Sequence, residues 1–150
     1  MGALTNIAFR PYRREDYNAC IDIFDANCPV YLAPNERKDY ESFLESAPEG
    51  YEVCEVDGHV RGVFGLFGNR TNEKRLNWIM VDSKTHGMGI GARIMERVIQ
   101  LGRNSETTVI GLSTSQKVAP FFEKYGATTT SMTKDGHGPG IDRVDMLLPL

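Results

Sequence analysis

The 150-residue sequence has no long hydrophobic run, and no segment approaches the roughly 18 consecutive apolar residues that a membrane span requires. It also has no excess of basic residues, because 17 Lys and Arg are set against 20 Asp and Glu, which gives a formal net charge of -3. A protein of this charge does not as a whole attract nucleic acid or anionic lipid. We therefore expect neither nucleic acid nor a membrane as a partner.

Cysteine and histidine are scarce and scattered. Cys20, Cys28 and Cys54 are an odd number without CxxC spacing, which argues against a disulfide framework and for reduced, mostly buried thiols. The three histidines lack the paired spacing of a zinc site, so no metal centre is expected. Because the first residues also lack the apolar stretch of a signal peptide, we expect a cytoplasmic protein.

The composition, with 41% hydrophobic residues, fits one globular domain over residues 1–150. Apolar runs and alternation predict strands at 6–10, 51–56, 60–68, 75–81, 108–113 and 143–150. Helical spacing of apolar residues predicts helices at 13–28, at 35–46, from Ile90 onward and at 118–125. Asp57 and Gly58 predict a hairpin turn, and polar residues 69–74 predict another turn.

The order of these elements predicts the fold class. The hairpin at 51–68 makes its two strands antiparallel, whereas the later strand-helix-strand unit has a right-handed crossover that makes its strands parallel. The result is a mixed α/β sheet with helices on both faces. Phe64, Leu66 and Trp78 are expected to contribute to its core.

Three glycines at alternate positions, Gly87, Gly89 and Gly91, lie between the buried strand at 75–81 and the helix that follows. A helix N-terminus carries unpaired N–H groups and a partial positive charge, and glycine lets its backbone approach a phosphate closely. We therefore expect an anion site for a diphosphate, with a simple tight turn as the alternative. The GxGxG spacing does not fit the GxGxxG of dinucleotide-binding enzymes, and neither a GxxxxGK[ST] motif nor a GxSxG nucleophile elbow is present.

The segment VDSKTHGMGIGARIM at 81–95 resembles the acyl-CoA loop of the GNAT superfamily of N-acetyltransferases. In that loop the usual pattern is Gln or Arg, two residues, Gly, one residue, then Gly or Ala. Gly89 and Gly91 match the two small positions, while His86 stands where Gln or Arg is usual. RPYRRED at 10–16 is similar to the family's opening strand and helix start, and VAPFFEKYGA at 118–127 is similar to its late helix.

This resemblance implies transfer of an acetyl group from acetyl-CoA to a primary amine of a small molecule or peptide by direct attack. The backbone around Ile79 to Val81 would bind the pantetheine arm and the developing oxyanion, and the amides of 87–92 would bind the diphosphate. His86 is either a phosphate donor or a loop residue facing water, and Ser115 either touches the cofactor or caps the next helix. The implied cofactor-binding residues are Ile79, Met80, Val81, His86, Gly87, Met88, Gly89, Ile90, Gly91, Ala92, Ser115 and Phe122.

The catalytic groups depart from the family pattern. The tyrosine that often protonates the departing thiolate aligns with Phe122, which has no proton to donate. Tyr125 is the candidate replacement, although its spacing also fits a core residue. Asn77 is a candidate for positioning a water molecule, and the alternative is an exposed strand residue without a role. His137 is a candidate general base of near-neutral pKa, and the alternative is a residue of a solvated turn.

Acceptor recognition in the family implies two further segments, the loop between the first two helices and the last strand pair. The candidates for substrate binding are Tyr31 and Glu36 in the loop, and His137 and Asp142 in the strand pair. Because the usual tyrosine is absent, a non-catalytic acyl-CoA-binding sensor is the alternative function. The sequence does not identify the acceptor amine, and it leaves a homodimer open.

Overall fold

The computed structural model describes residues 6–68 and 72–150, and seven strands in these residues form one mixed sheet. The strands are β1 (Ile7–Pro11), β2 (Tyr51–Val56), β3 (His59–Phe67), β4 (Glu73–Val81), β5 (Val109–Thr114), β6 (Thr128–Gly138) and β7 (Ile141–Pro149). Their order across the sheet is β1-β2-β3-β4-β5-β7-β6, and every neighbouring pair is antiparallel except the parallel pair of β4 and β5. The predicted mixed α/β fold is confirmed.

Helices cover both faces of this sheet. They are α1 (Tyr17–Asn27), α2 (Arg37–Glu45), α3 (Ile90–Asn104) and α4 (Ala119–Glu123), with short 3-10 turns at Arg14–Asp16, Pro34–Glu36 and Ser83–Thr85. One face packs against α1 and α2 around Phe24, Tyr40 and Val63, and the other packs against α3 and α4 around Phe64 and Ile94. In the described part of the chain, no helix has the length and apolar character needed to cross a membrane.

The helix α3 begins at the glycine loop and is held against the sheet by one apolar stripe. Ile90, Ile94 and Val98 recur at four-residue spacing, and each is at most 1% exposed. Leu101 extends the stripe as a partly buried residue. Burial of this stripe fixes where the N-terminus of α3 lies relative to β4.

Periodicity alone missed β6, although the family resemblance implied a last strand pair. Residues along this strand are mostly polar and almost all exposed, so there is no buried face to produce an alternating pattern. The predicted and observed bounds of the helices differ only slightly. The helix α4 is shorter than the predicted 118–125, and α1 is preceded by a 3-10 turn that the prediction included in the helix. Residues 69–71, which begin the predicted turn at 69–74, lie outside the described residues.

The cysteines are free thiols, as the sequence predicted. Cys20 and Cys54 are buried, and Cys28 is half-buried just after α1. Burial raises the pKa of Cys20 to about 12 and the pKa of Cys54 to about 11. Both thiols are therefore protonated at neutral pH, which makes them poor nucleophiles.

Gly65 in β3 lies beneath two aromatic rings. A Cβ atom at this position would lie 2.3 Å from Cε2 of Phe67 and 2.9 Å from Cδ1 of Tyr51. We expect Gly65→Ala to lower the free energy of unfolding by about 1 to 3 kcal/mol, because overpacking forces the rings out of their preferred rotamers. Urea denaturation measures this change. In the control Gly111→Ala, the new Cβ would meet the end of the exposed Arg75 side chain at 3.2 Å, and equal destabilisation of both variants would contradict the steric explanation.

Candidate functional site

The two parallel strands at the centre of the sheet separate along their length. Pairing between β4 and β5 ends at Leu76 and Leu112. Just beyond, Trp78 adopts a φ of 48°, and neither Trp78 nor Ile79 has a partner in β3. This bulge bends β4 away from the ladder. The strands then enclose a cleft of about 840 Å³ whose walls include the ends of β4 and β5, the start of α3, and α4.

The N-terminus of α3 contributes unpaired donors to this cleft. Gly87 and Gly89 have φ values of 84° and 87°, in the left-handed region that favours glycine, and they turn the chain into the helix. Among the described residues, no protein group accepts a hydrogen bond from the backbone N–H groups of Gly87, Gly89, Ile90, Gly91 or Ala92. These five residues all line the cleft. The loop therefore has the donors that an anionic group needs.

His86 bonds to the strand that precedes the loop. Its Nε2 atom lies 3.0 Å from the carbonyl oxygen of Val81, and its ring packs edge-on against Tyr31 with 5.4 Å between centroids. Asn27, the last residue of α1, also donates to the Val81 carbonyl, at 2.9 Å. The Val81 carbonyl thus already has two protein partners, whereas the predicted contact of the Val81 backbone with the pantetheine arm stays a prediction.

The opposite wall consists of the end of β5 and α4. Ser115 is buried, and its Oγ accepts a hydrogen bond from the backbone N–H of Lys117 at 3.3 Å, so it caps the turn before α4 while also lining the cleft. Phe122 is a core residue, only 2% exposed, whose ring reaches the cleft. Tyr125 is half-buried, packs edge-on against Phe121 at 5.5 Å, and lines the cleft as well.

The two predicted acceptor segments meet at the cleft. The carboxylate of Glu36 accepts a hydrogen bond from the backbone N–H of Ala33 at 2.9 Å and lies 3.4 Å from Nδ1 of His137. The Nε2 atom of His137 lies 3.1 Å from the carbonyl oxygen of Thr114, and Asn35 donates to the His137 carbonyl at 2.9 Å. The loop after α1 and the β6–β7 hairpin are thereby joined across the site.

Both ring nitrogens of His137 face oxygen acceptors. The hydrogen bond to Glu36 is the main cause that raises the pKa of His137 above its ordinary value of 6.5, and partial burial opposes it. The protonated ring donates at both nitrogens, so no lone pair is left to accept a proton. In its protonated form His137 donates to the Glu36 carboxylate and holds it in place, and the role of His137 as a general base stays a prediction.

We expect His137 to titrate above pH 6.5 in the wild-type protein and at a lower pH in Glu36→Gln, because the amide removes the charged partner. Histidine Cε1 resonances followed against pH by NMR measure both values. Since folding raises this pKa, the pair stabilises the fold fully at pH below the unfolded value, and the stabilisation is lost as pH rises through the folded value. An unchanged His137 titration in Glu36→Gln would contradict the assignment, and His59 serves as the internal reference.

Two residues predicted for the site lie outside the cleft. Met88 is 51% exposed and does not line it, because its N–H bonds back to Thr85 and its side chain faces solvent. Asp142 is engaged within the hairpin, where its carboxylate accepts the N–H of Asp135 at 3.0 Å and its own N–H donates to Gln116. The predicted residues that the structure brings together at the cleft are Tyr31, Glu36, Asn77, Ile79, Met80, Val81, His86, Gly87, Gly89, Ile90, Gly91, Ala92, Ser115, Phe122, Tyr125 and His137.

Sequence reasoning missed several polar residues of the cleft, among them Asn27, Lys117 and Lys124. Asn27 follows Phe24 on the apolar face of α1, and a polar residue on such a face was a usable signal. Lys117 donates to the carbonyl of Val30 at 2.8 Å, and Lys124 lies on the α4 wall. Nothing in the local sequence distinguishes these two lysines from surface lysines.

The central parallel strands of this mixed sheet diverge into a cleft that the N–H groups at the start of α3 also line. Residues 18–127 match the model of the Acetyltransferase (GNAT) family, and the chain therefore belongs to this family, whose members transfer acyl groups. Comparison with curated proteins finds no match.

Solved structures of the same fold share little sequence with this chain. Ard1 from Thermoplasma volcanium is 19% identical, with a TM-score of 0.81, over 97% of this chain and 99% of that chain. The ribosomal-protein-S18-alanine N-acetyltransferase from Escherichia coli is 17% identical, with a TM-score of 0.78, over 96% and 94%. A GNAT family acetyltransferase from Elizabethkingia anophelis, solved with acetyl-CoA bound, is 16% identical, with a TM-score of 0.72, over 97% and 99%. These likenesses agree on the fold.

Proposed function

We propose that this protein transfers the acetyl group of acetyl-CoA to a primary amine by direct attack. The observation that carries the proposal is the row of unpaired N–H groups at the start of α3, which opens onto the cleft between β4 and β5. The bound acetyl-CoA in the Elizabethkingia anophelis structure supports the choice of this ligand. We also propose a cytoplasmic location, which the free thiols support.

The donors of the glycine loop hold the diphosphate of acetyl-CoA. The amides of Gly87 and of residues 89–92 surround one end of the cleft, and Lys124 adds a positive charge to the same cleft. The pantetheine arm runs along β4 beside Ile79 to Val81, where the chain has left the ladder of β5. The thioester carbonyl then lies against the bulge, where a backbone N–H stabilises the oxyanion.

Glu36 receives the acceptor amine. It is the one carboxylate among the described residues that line the cleft, so it is the natural partner of an ammonium group. The ammonium gives a proton to the Glu36 carboxylate, and the neutral amine attacks the thioester carbonyl carbon. As the carbon-sulfur bond breaks, the CoA thiolate takes up a proton from a donor in the cleft, and the second proton of the nitrogen passes to that donor. Glu36 releases its proton to solvent when the products leave. Tyr125 lines the cleft with a hydroxyl proton to donate to that thiolate.

Binding and turnover test this proposal separately. Calorimetry with CoA tests the loop, and release of free thiol from acetyl-CoA, measured with a panel of small amines and peptide N-termini, tests the reaction. We expect CoA binding together with acceptor-dependent thiol release. Absence of CoA binding would overturn the proposal. Because Phe122 replaces the usual proton donor, tight binding with no turnover across the panel would instead support the acyl-CoA sensor.

A further inference from the structure

A line of buried hydroxyl groups leads from α2 through β2 to the bulge of β4. The hydroxyl of Tyr51 donates to the carbonyl oxygen of Trp78 at 2.7 Å, and the hydroxyl of Tyr40 lies 2.9 Å from that of Tyr51. Tyr40 is 0% exposed and Tyr51 is 1% exposed. Burial raises the pKa of the Tyr51 hydroxyl well above its ordinary value of 10, so it carries a proton and acts as the donor.

The Trp78 carbonyl receives this donor at the bulge, where the register between β4 and β3 is interrupted. Register passes from Val63 opposite Met80 to Gly65 opposite Asn77, which leaves Trp78 and Ile79 without partners in β3. Pairing with β5 has already ended at Leu76. A partly buried carbonyl group at such an interruption of the register needs a hydrogen-bond donor, and the Tyr51 hydroxyl supplies one.

Tyr51 reaches β4 across a gap in the intervening strand. Tyr51 stands opposite Gly65 in the pairing of β2 with β3. A Cβ atom at Gly65 would lie 2.9 Å from the Tyr51 ring, so the absence of a side chain lets the ring lie over β3. The length of the tyrosine side chain then brings its hydroxyl to the bulge.

We propose that Tyr51 is a positioning residue that aims the backbone N–H of Ile79 at the reacting carbonyl. The Trp78 carbonyl and the Ile79 N–H belong to one planar trans peptide unit, so they point in opposite directions. Tyr51 holds the carbonyl toward the α1 and α2 side, and the N–H consequently points away from it. Ile79 lines the cleft, where the proposed acetyl transfer, on which this inference rests, needs an oxyanion donor.

The test is Tyr51→Phe, which removes the hydroxyl and keeps the ring. Loss of one oxyanion donor costs about 100-fold to 1000-fold in turnover, so a donor that is still present but less well aimed should cost about 30-fold in kcat. The KM for acetyl-CoA should stay within about threefold, because the diphosphate is held by the glycine loop instead. The backbone amide resonance of Ile79 in the NMR spectrum should shift.

Tyr40→Phe is the matched control, because it removes a neighbouring hydroxyl and leaves the Tyr51 to Trp78 bond in place. We expect its kcat to stay close to wild type. Equal kcat losses in both variants, or a wild-type kcat in folded Tyr51→Phe, would overturn the inference. Should Tyr51→Phe fail to fold, incorporation of 4-aminophenylalanine at position 51 restores a donor and should restore both the Ile79 resonance and kcat, and failure to restore them counts against the inference.

The amide readout separates this inference from the proposed function. If the wild-type protein turns over no acceptor, the proposed acetyl transfer fails, whereas the Ile79 resonance still reports whether Tyr51 orients this peptide unit. If the wild-type protein is active and the Ile79 resonance is identical in Tyr51→Phe, the inference fails and the proposed function stands.

Discussion

Replacing Ala92 with glutamate is expected to weaken CoA binding about 100-fold without unfolding the protein. Ala92 is exposed, lines the cleft, and lies in the first turn of α3. A carboxylate in the first turn of a helix favours the helix itself. It also repels a diphosphate, and two like charges about 4 Å apart near a protein surface interact by about 1 to 4 kcal/mol. Calorimetry with CoA measures the loss of affinity.

Ala92→Gln is the control, because it has the same size as glutamate without the charge. We expect this variant to bind CoA markedly more tightly than Ala92→Glu, and the difference should shrink at high salt. Equal affinities would mean that the amides of 87–92 do not face a diphosphate. The pair tests the loop more cleanly than a valine at Gly89, since a β-branched residue at a φ of 87° is strained whatever binds there.

Replacing Glu36 with glutamine is expected to lower the rate of amine acetylation about 100-fold, since general-base groups contribute about 100-fold to 10,000-fold. The amide keeps the shape of the side chain but cannot take the ammonium proton. CoA affinity should be unchanged, because Glu36 lies in the acceptor segment and not in the glycine loop. Initial rates of thiol release, measured against acceptor concentration and pH, test this expectation.

Glu45→Gln provides a matched control on the same part of the chain. Glu45 is an exposed carboxylate at the end of α2 and does not line the cleft. Its removal should leave the rate unchanged. If Glu36→Gln and Glu45→Gln are both as active as wild type, proton removal from the amine does not depend on Glu36.

Much of the fold was predictable because the spacing of apolar residues along a short segment indicates whether that segment is a helix or a strand. The stripe of Ile90, Ile94 and Val98 predicted α3, and Asp57 and Gly58 predicted the hairpin that joins β2 and β3. The strand β6 was missed because it lies at the edge of the sheet, where almost every residue is exposed. The pattern of apolar residues in a sequence indicates which positions are buried, and a strand without a buried face has no such pattern.

Only the part of the site that consists of one continuous segment was predictable from the sequence. Residues 87–92 are contiguous, so their spacing alone indicated an anion site. Glu36 and His137 lie far apart in the sequence and are paired only in the folded protein. The sequence predicted each of them as a separate candidate and did not predict their contact. Only the tertiary structure shows that Nδ1 of His137 faces the Glu36 carboxylate, and the role of His137 as a general base stays a prediction.

The sequence by itself determined every strand and helix except β6, their order and the glycine loop, because each depends on residues within a few positions of one another. Only the tertiary structure decided that β4 bulges at Trp78, that Tyr51 reaches this bulge across Gly65, and that the acceptor segments meet. These features depend on groups brought together from distant positions, and a hydrogen bond between such groups is set by the packing of the whole sheet.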